Sequence, residues 1–132
     1  LKYYPKFRQI TKSIYEEDDD KRRSVERWVE NIVNSSIDIC KVILNMEEIR
    51  LPDNYKEIIL AVSHVKKVKV STETIEAIAR WVRLRNIVTH EYLDIRWSSI
   101  KKFLSDGVPL YVDFLARVGD YLEMEIEKDK GE

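Results

Sequence analysis

The chain has 132 residues, 44% hydrophobic and 36% charged, which suits one domain, 1–132, able to bury a core without disulfides or a metal. It carries 23 basic and 24 acidic side chains, a formal net charge of -1, which argues against a protein that holds nucleic acid by bulk positive charge. Any RNA contact must then rest on a local site or on a groove formed by assembly, because the shape of the field matters more than its sum.

Cys40 is the one cysteine, so no internal disulfide can form, and a reducing, cytoplasmic setting is expected. Its place in an apolar helical stripe marks it as a core thiol rather than a nucleophile. No apolar run is long enough to span a membrane, so no membrane partner is expected. No signal peptide is visible, although the first residue is Leu rather than Met, which weakens that inference. With three Gly and three Pro, the chain has few breakers, and its long apolar periodicities favour helices.

The first expected helix covers about Tyr3 to Tyr15, with Tyr3, Phe7, Ile10 and Ile14 at helical spacing. The charge block Glu16 to Arg23 reads as a solvated connection. Adjacent acids on a helix point in different directions and no His sits nearby, so no metal set is expected there. The second helix should run from about Arg22 to Met46. Val25, Trp28, Val29, Ile32, Ser36, Ile39, Cys40 and Ile43 form its stripe, each large apolar member contributing about 1.5–3 kcal/mol once buried.

Pro52 marks a break. Asn54 and Glu57 have capping-box spacing and should start a third helix through about Ser63. His64 lacks a second His or an acid at ligand spacing and reads as structural or exposed. Lys66, Lys67 and Lys69 read as a solvated turn. Ser71 or Thr72 opens a fourth helix, expected to continue to about Tyr92.

A fifth should begin near Trp97 or Ser98, be interrupted or kinked at Gly107 and Pro109, and resume through Tyr111, Leu115, Val118 and Leu122. The acidic end, Glu123 to Glu132, is expected to fray. No stretch sustains strand alternation, so the expected fold is all-α, an antiparallel helical bundle of about five helices.

The fourth helix carries the candidate chemistry, in the run Arg85-Asn86-Ile87-Val88-Thr89-His90-Glu91-Tyr92. On an ideal helix, Ala77, Trp81, Leu84 and Val88 share the core face. Arg85 and Tyr92, seven apart, nearly align on its flank, while Asn86 and His90, four apart, align on the other side. Arg85 and His90 therefore diverge, and a two-fold partner could supply the missing half.

Histidine can donate or accept a proton near neutrality. Arginine offers a planar, permanently charged fork for phosphate oxygens, and asparagine can orient a hydroxyl. Such a set, without metal ligands, suits cleavage of RNA by its own 2'-hydroxyl, where a preorganised cation stabilises charge gathering on the phosphate oxygens. As residue types alone, Arg, Asn, His and Tyr on one helix are more often a polar interface or capping set. Arg80, Arg83 and Arg96 could equally form surface ion pairs of little worth.

The string Arg85-x4-His90-x-Tyr92 resembles the R-x4-6-H motif of the HEPN superfamily, in the form found in HepT ribonuclease toxins. Val25-Glu26-Arg27-Trp28, Ser36-Ile37-Asp38-Ile39 and Leu51-Pro52-Asp53-Asn54-Tyr55 precede it in that family's order, and the resemblance covers about Lys21 to Leu122. The resemblance implies a helical homodimer whose two motifs line one cleft, and a metal-independent endoribonuclease needing no cofactor. Arg85 and His90 would be catalytic and Asn86 supporting.

It also implies a toxin–antitoxin pair with a minimal (MNT-type) nucleotidyltransferase antitoxin. That antitoxin would block activity by AMPylation of Tyr92. The alternative is a non-catalytic HEPN module that binds nucleotide or serves as an accessory subunit of such a nucleotidyltransferase.

Overall fold

Five helical periodicities in the sequence become eight α-helical stretches among the described residues, 2–130, of the computed structural model. They are α1 (Tyr4–Phe7), α2 (Lys12–Glu17), α3 (Asp19–Met46), α4 (Tyr55–Ala61), α5 (Thr72–Trp81), α6 (Leu84–His90), α7 (Leu93–Lys102) and α8 (Val108–Lys130). A 3₁₀ turn, Val62–His64, extends α4, and a π-helical segment, Phe103–Gly107, joins α7 to α8. The fold is all-α, as the periodicities predict.

The first expected helix is two short ones. The Thr11 hydroxyl accepts the Ile14 N–H at 3.2 Å and caps α2. The break lets two aromatics reach separate partners: Phe7 packs on Trp28 and Tyr15 on Trp97, each at 5.2 Å between ring centres.

The charge block holds the junction of α2 and α3 at Asp18 and mostly faces solvent, but it is largely helical rather than a loop. Asp18 ends α2 and caps α3 through the Lys21 N–H at 3.1 Å. Arg22 donates to the Tyr15 and Glu16 carbonyls at the end of α2, at 3.0 and 3.1 Å, and pairs with Asp19. The run is thus mostly helical, and its charges tie two helix ends together.

The long helix α3 buries Val25, Trp28, Val29, Val33, Ile37, Cys40, Ile43 and Leu44. Ile32 and Ile39 fall on its flank and are only half-buried. Burial pushes the Cys40 thiol up to about 12, as befits a core thiol. Helix α4 packs between α3 and α5, α5 reaches α8, and α6 sits against α3 and α7. Asn54 caps α4 through the Glu57 N–H at 2.9 Å, and Ser71 caps α5 through the Thr74 N–H at 3.1 Å.

The interruption expected at Gly107 and Pro109 takes the form of the π segment between α7 and α8. Proline has no N–H to give a carbonyl one turn earlier. The chain absorbs this with the π segment, where the Val108 N–H reaches back to the Phe103 carbonyl. Gly107 lets this segment pack closely: a Cβ there would stand 2.7 Å from a ring carbon of Phe103 and 3.2 Å from Trp81.

The acidic end is helical through Lys130 rather than frayed, and residues 131–132 lie outside the described ones. Lys67 explains part of this, bridging Glu47 and Glu125 at 3.6 Å each, while the Tyr121 hydroxyl donates to Glu47 at 2.7 Å. Among the described residues no helix is long and apolar enough to cross a membrane.

Candidate functional site

The expected fourth helix breaks at Val82–Arg83. The N–H groups of Val82, Arg83, Arg85 and Asn86 each bond three residues back, to Ala79, Arg80, Val82 and Arg83. Helix α6 therefore starts on a 3₁₀-like turn that changes its phase relative to α5. The consequence shows in burial. Ile75, Ile78 and Ala79 are the buried residues of α5, whereas the expected core residues Ala77 and Trp81 are half-buried. Leu84 is buried on α6, and Val88 is half-buried beside it.

Helix α6 ends at His90. Glu91 and Tyr92 are both extended, with ψ of 160° and 159°. The expected alignment of Arg85 with Tyr92 on one helix is therefore not formed. Tyr92 instead begins the next helix: its carbonyl accepts the Arg96 N–H at 3.0 Å. Its side chain is 85% exposed.

Within α6 the angular argument holds. Arg85 and His90 are five residues apart, so they diverge by about 140° at 100° per residue. Asn86 and His90 share the exposed side. Arg85 lies on the half-buried flank facing α4. Its guanidinium carbon stands 4.6 Å from the centre of the Tyr55 ring, and its Nε is buried without a hydrogen-bond partner. Among the described residues Arg85 forms no ion pair. Lys41 of α3 reaches the same ring, with its ammonium 5.4 Å from the centre. One copy of the chain thus sets Asn86 and His90 on one exposed side of α6 and Arg85 on its half-buried flank.

Arg96 behaves in the opposite way. The sequence suggests a surface ion pair of little worth, but Arg96 donates from Nε and from a terminal nitrogen to the Glu26 carboxylate at 2.9 and 2.6 Å. The Tyr15 hydroxyl donates to the same carboxylate at 2.6 Å. The bond to Glu26 raises the Arg96 pKa further, and burial followed by the Glu26 bond raises that of Tyr15. This network fixes α7, just beyond the motif, to α2 and α3. Its sequence signal was Glu26, a charged residue between the core residues Val25 and Trp28.

A cleft of about 540 Å³ opens beside α6, floored by Trp81, Leu84, Ile87 and Ile95, with Arg83 and Lys102 among its lining residues. None of Arg85, Asn86, His90 or Tyr92 lines it. Among the described residues no three His, Cys, Asp or Glu side chains gather as a metal-ligand set. The candidate site is therefore a strip of cation, amide and imidazole on a short helix, followed by an exposed tyrosine on an extended hinge.

A family model described as ribonuclease HepT-like matches residues 1–118, beginning well before Lys21, where the motif resemblance starts. No curated protein and no solved structure matches the chain. The match spans most of the chain, including the whole of α6 and the strip it presents, and on it the chain belongs to the HepT-like family.

Proposed function

We propose that the chain is a metal-independent endoribonuclease, the toxin of a toxin–antitoxin pair, acting as a homodimer. The observation that carries this reading is Arg85. Among the described residues this half-buried cation has no ion-pair partner, and its Nε–H is buried and unpartnered. Burying a charge without a partner is costly, and a substrate phosphate would pair with the guanidinium through its two terminal nitrogens, in the bidentate geometry that guanidinium favours.

In the proposed reaction the RNA 2'-hydroxyl attacks the adjacent phosphorus and loses its proton. The bond to the 5'-oxygen breaks, leaving a 2',3'-cyclic phosphate and a 5'-hydroxyl. Arg85 stabilises charge on the non-bridging oxygens. His90 handles a proton, taking it from the nucleophile or giving it to the leaving oxygen. Asn86, on the same exposed side, orients the hydroxyl or the imidazole. Because Arg85 and His90 diverge on one α6, the site pairs them across two copies.

Regulation is assigned to Tyr92. A nucleotidyltransferase antitoxin would transfer AMP from ATP to its hydroxyl with release of pyrophosphate. The added phosphodiester would then compete with RNA for Arg85. The exposure of Tyr92 supports this, since an acceptor hydroxyl must enter another enzyme's site.

The second reading is a non-catalytic nucleotide-binding or accessory subunit, favoured by the separation of Arg85 from His90 within one copy. The test is RNA cleavage in the presence of a chelator. The unaltered chain should cut, and His90→Ala should fold and not cut. Loss of cutting on chelation, or full activity of His90→Ala, rejects the proposed mechanism; a chain that binds nucleotide without cutting establishes the second reading.

A further inference from the structure

Tyr55 lies 30 residues before Arg85 and opens α4, yet its ring carries two cations from two other helices. The Arg85 guanidinium carbon is 4.6 Å from the ring centre and the Lys41 ammonium 5.4 Å. The two positive groups are therefore no farther apart than the sum of those distances. Among the described residues neither pairs with a carboxylate. Like charges gathered at one ring repel, and the π face offsets this only in part. An anion between or beside them would remove the conflict.

The ring contact also limits where the guanidinium can go. With its carbon held over the ring and its Nε buried, the terminal nitrogens are left to make the fork contact. We propose that Tyr55 is the positioning residue that holds Arg85 ready for phosphate, and that Lys41 is a second phosphate-binding cation of the same site. This rests on the ribonuclease reading and deepens it: the site takes a polyanionic strand through two cations on an aromatic platform. Lys41 is half-buried, so its stem is already confined and its charge is presented at small further loss of freedom.

The test is equilibrium binding of single-stranded RNA carrying 2'-O-methyl groups, which cannot be cut, across a range of salt. Lys41→Gln should lower the slope of log affinity against log salt by about 0.7, the share of one phosphate contact on a single strand. Tyr55→Phe and Tyr55→Trp should bind as the unaltered chain does. Tyr55→Leu should bind about fivefold more weakly, the scale of one cation–π contact.

In an Arg85→Ala, Lys41→Gln background, Tyr55→Leu should cost nothing further, which a merely structural role would not produce. Tyr55 is 43% exposed, so these variants do not open the core. Equal affinity of Tyr55→Leu, or an unchanged slope for Lys41→Gln, overturns the inference while cleavage by the unaltered chain still upholds the ribonuclease reading. Binding that follows these expectations in a chain that never cuts separates the two the other way. No binding at all overturns both.

Discussion

Arg96 and Glu26 stand 70 positions apart and form a two-nitrogen contact, with Nε of Arg96 2.9 Å from the carboxylate. Their side chains are 23% and 11% exposed, and Tyr15 closes the third side. This contact ties α7, which follows the extended Glu91–Tyr92 segment, to α3 and, through Tyr15, to α2. Removing one partner leaves the other charge desolvated. Arg96→Met should therefore lower unfolding free energy by roughly 3 kcal/mol or more. Paired replacement of Glu26 and Arg96 by apolar residues should cost much less. Urea denaturation of the single and double variants measures both, and equal losses would contradict the buried-pair account.

Gly107 supports a second stability prediction. Its Cβ position is 2.7 Å from the ring of Phe103, which is fully buried and packs edge-on against Trp81 at 5.4 Å. Gly107→Ala should destabilise by about 1–3 kcal/mol through overpacking, despite the better helix propensity of alanine. Gly119, with open space around its Cβ position, is the control. Gly119→Ala should be stabilising by up to about 1 kcal/mol. Thermal melts that rank the two variants the other way would reject this packing.

How much of this was legible in sequence depends on what marks each feature. The caps at Asn54 and Ser71 are local, and their spacing announced them. The breaks at Val82–Arg83 and after His90 carry neither Gly nor Pro, so nothing in the string separates α5 from α6. The Pro109 signal was present but its outcome was not, because a π segment can absorb a missing N–H without ending a helix. The motif residues were legible by type and order. The Tyr55 platform beneath Arg85 was not, since it joins helices distant in the chain and follows no periodicity.

Alkaline pH gives a third test. The folded chain holds Cys40 up at about 12 and raises Tyr15, Tyr111 and Tyr121 above the ordinary tyrosine value, burial being the largest cause for each. A raised acid stays protonated in the folded state while the unfolded chain releases its proton. The stabilisation is therefore complete below the unfolded values, about 8.5 for cysteine and 10 for tyrosine, and is lost as pH rises past them. Denaturation between pH 7 and 10.5 should show stability falling from about pH 8.5 upward, with the earliest part of the fall absent in Cys40→Ala. A flat profile would contradict the burial of these groups.

Tyr92 supplies a fourth. Its side chain is exposed and it caps α7 through backbone alone, so Tyr92→Phe should melt within about 0.5 kcal/mol of the unaltered chain. Incubation with the nucleotidyltransferase and ATP should add AMP to the unaltered chain and not to Tyr92→Phe, as read by intact mass. Equal modification of both would place the acceptor elsewhere.

In the proposed dimer Arg85 of one copy works with His90 of the other, and mixing two inactive variants tests this pairing. Arg85→Ala and His90→Ala should each be inactive alone. After unfolding and refolding together, half of the dimers are mixed and each holds one complete site, so cleavage should return to about one quarter of the unaltered level. Restoration at that level supports the shared site. No activity in the refolded mixture, with mixed dimers verified by mass, would contradict it.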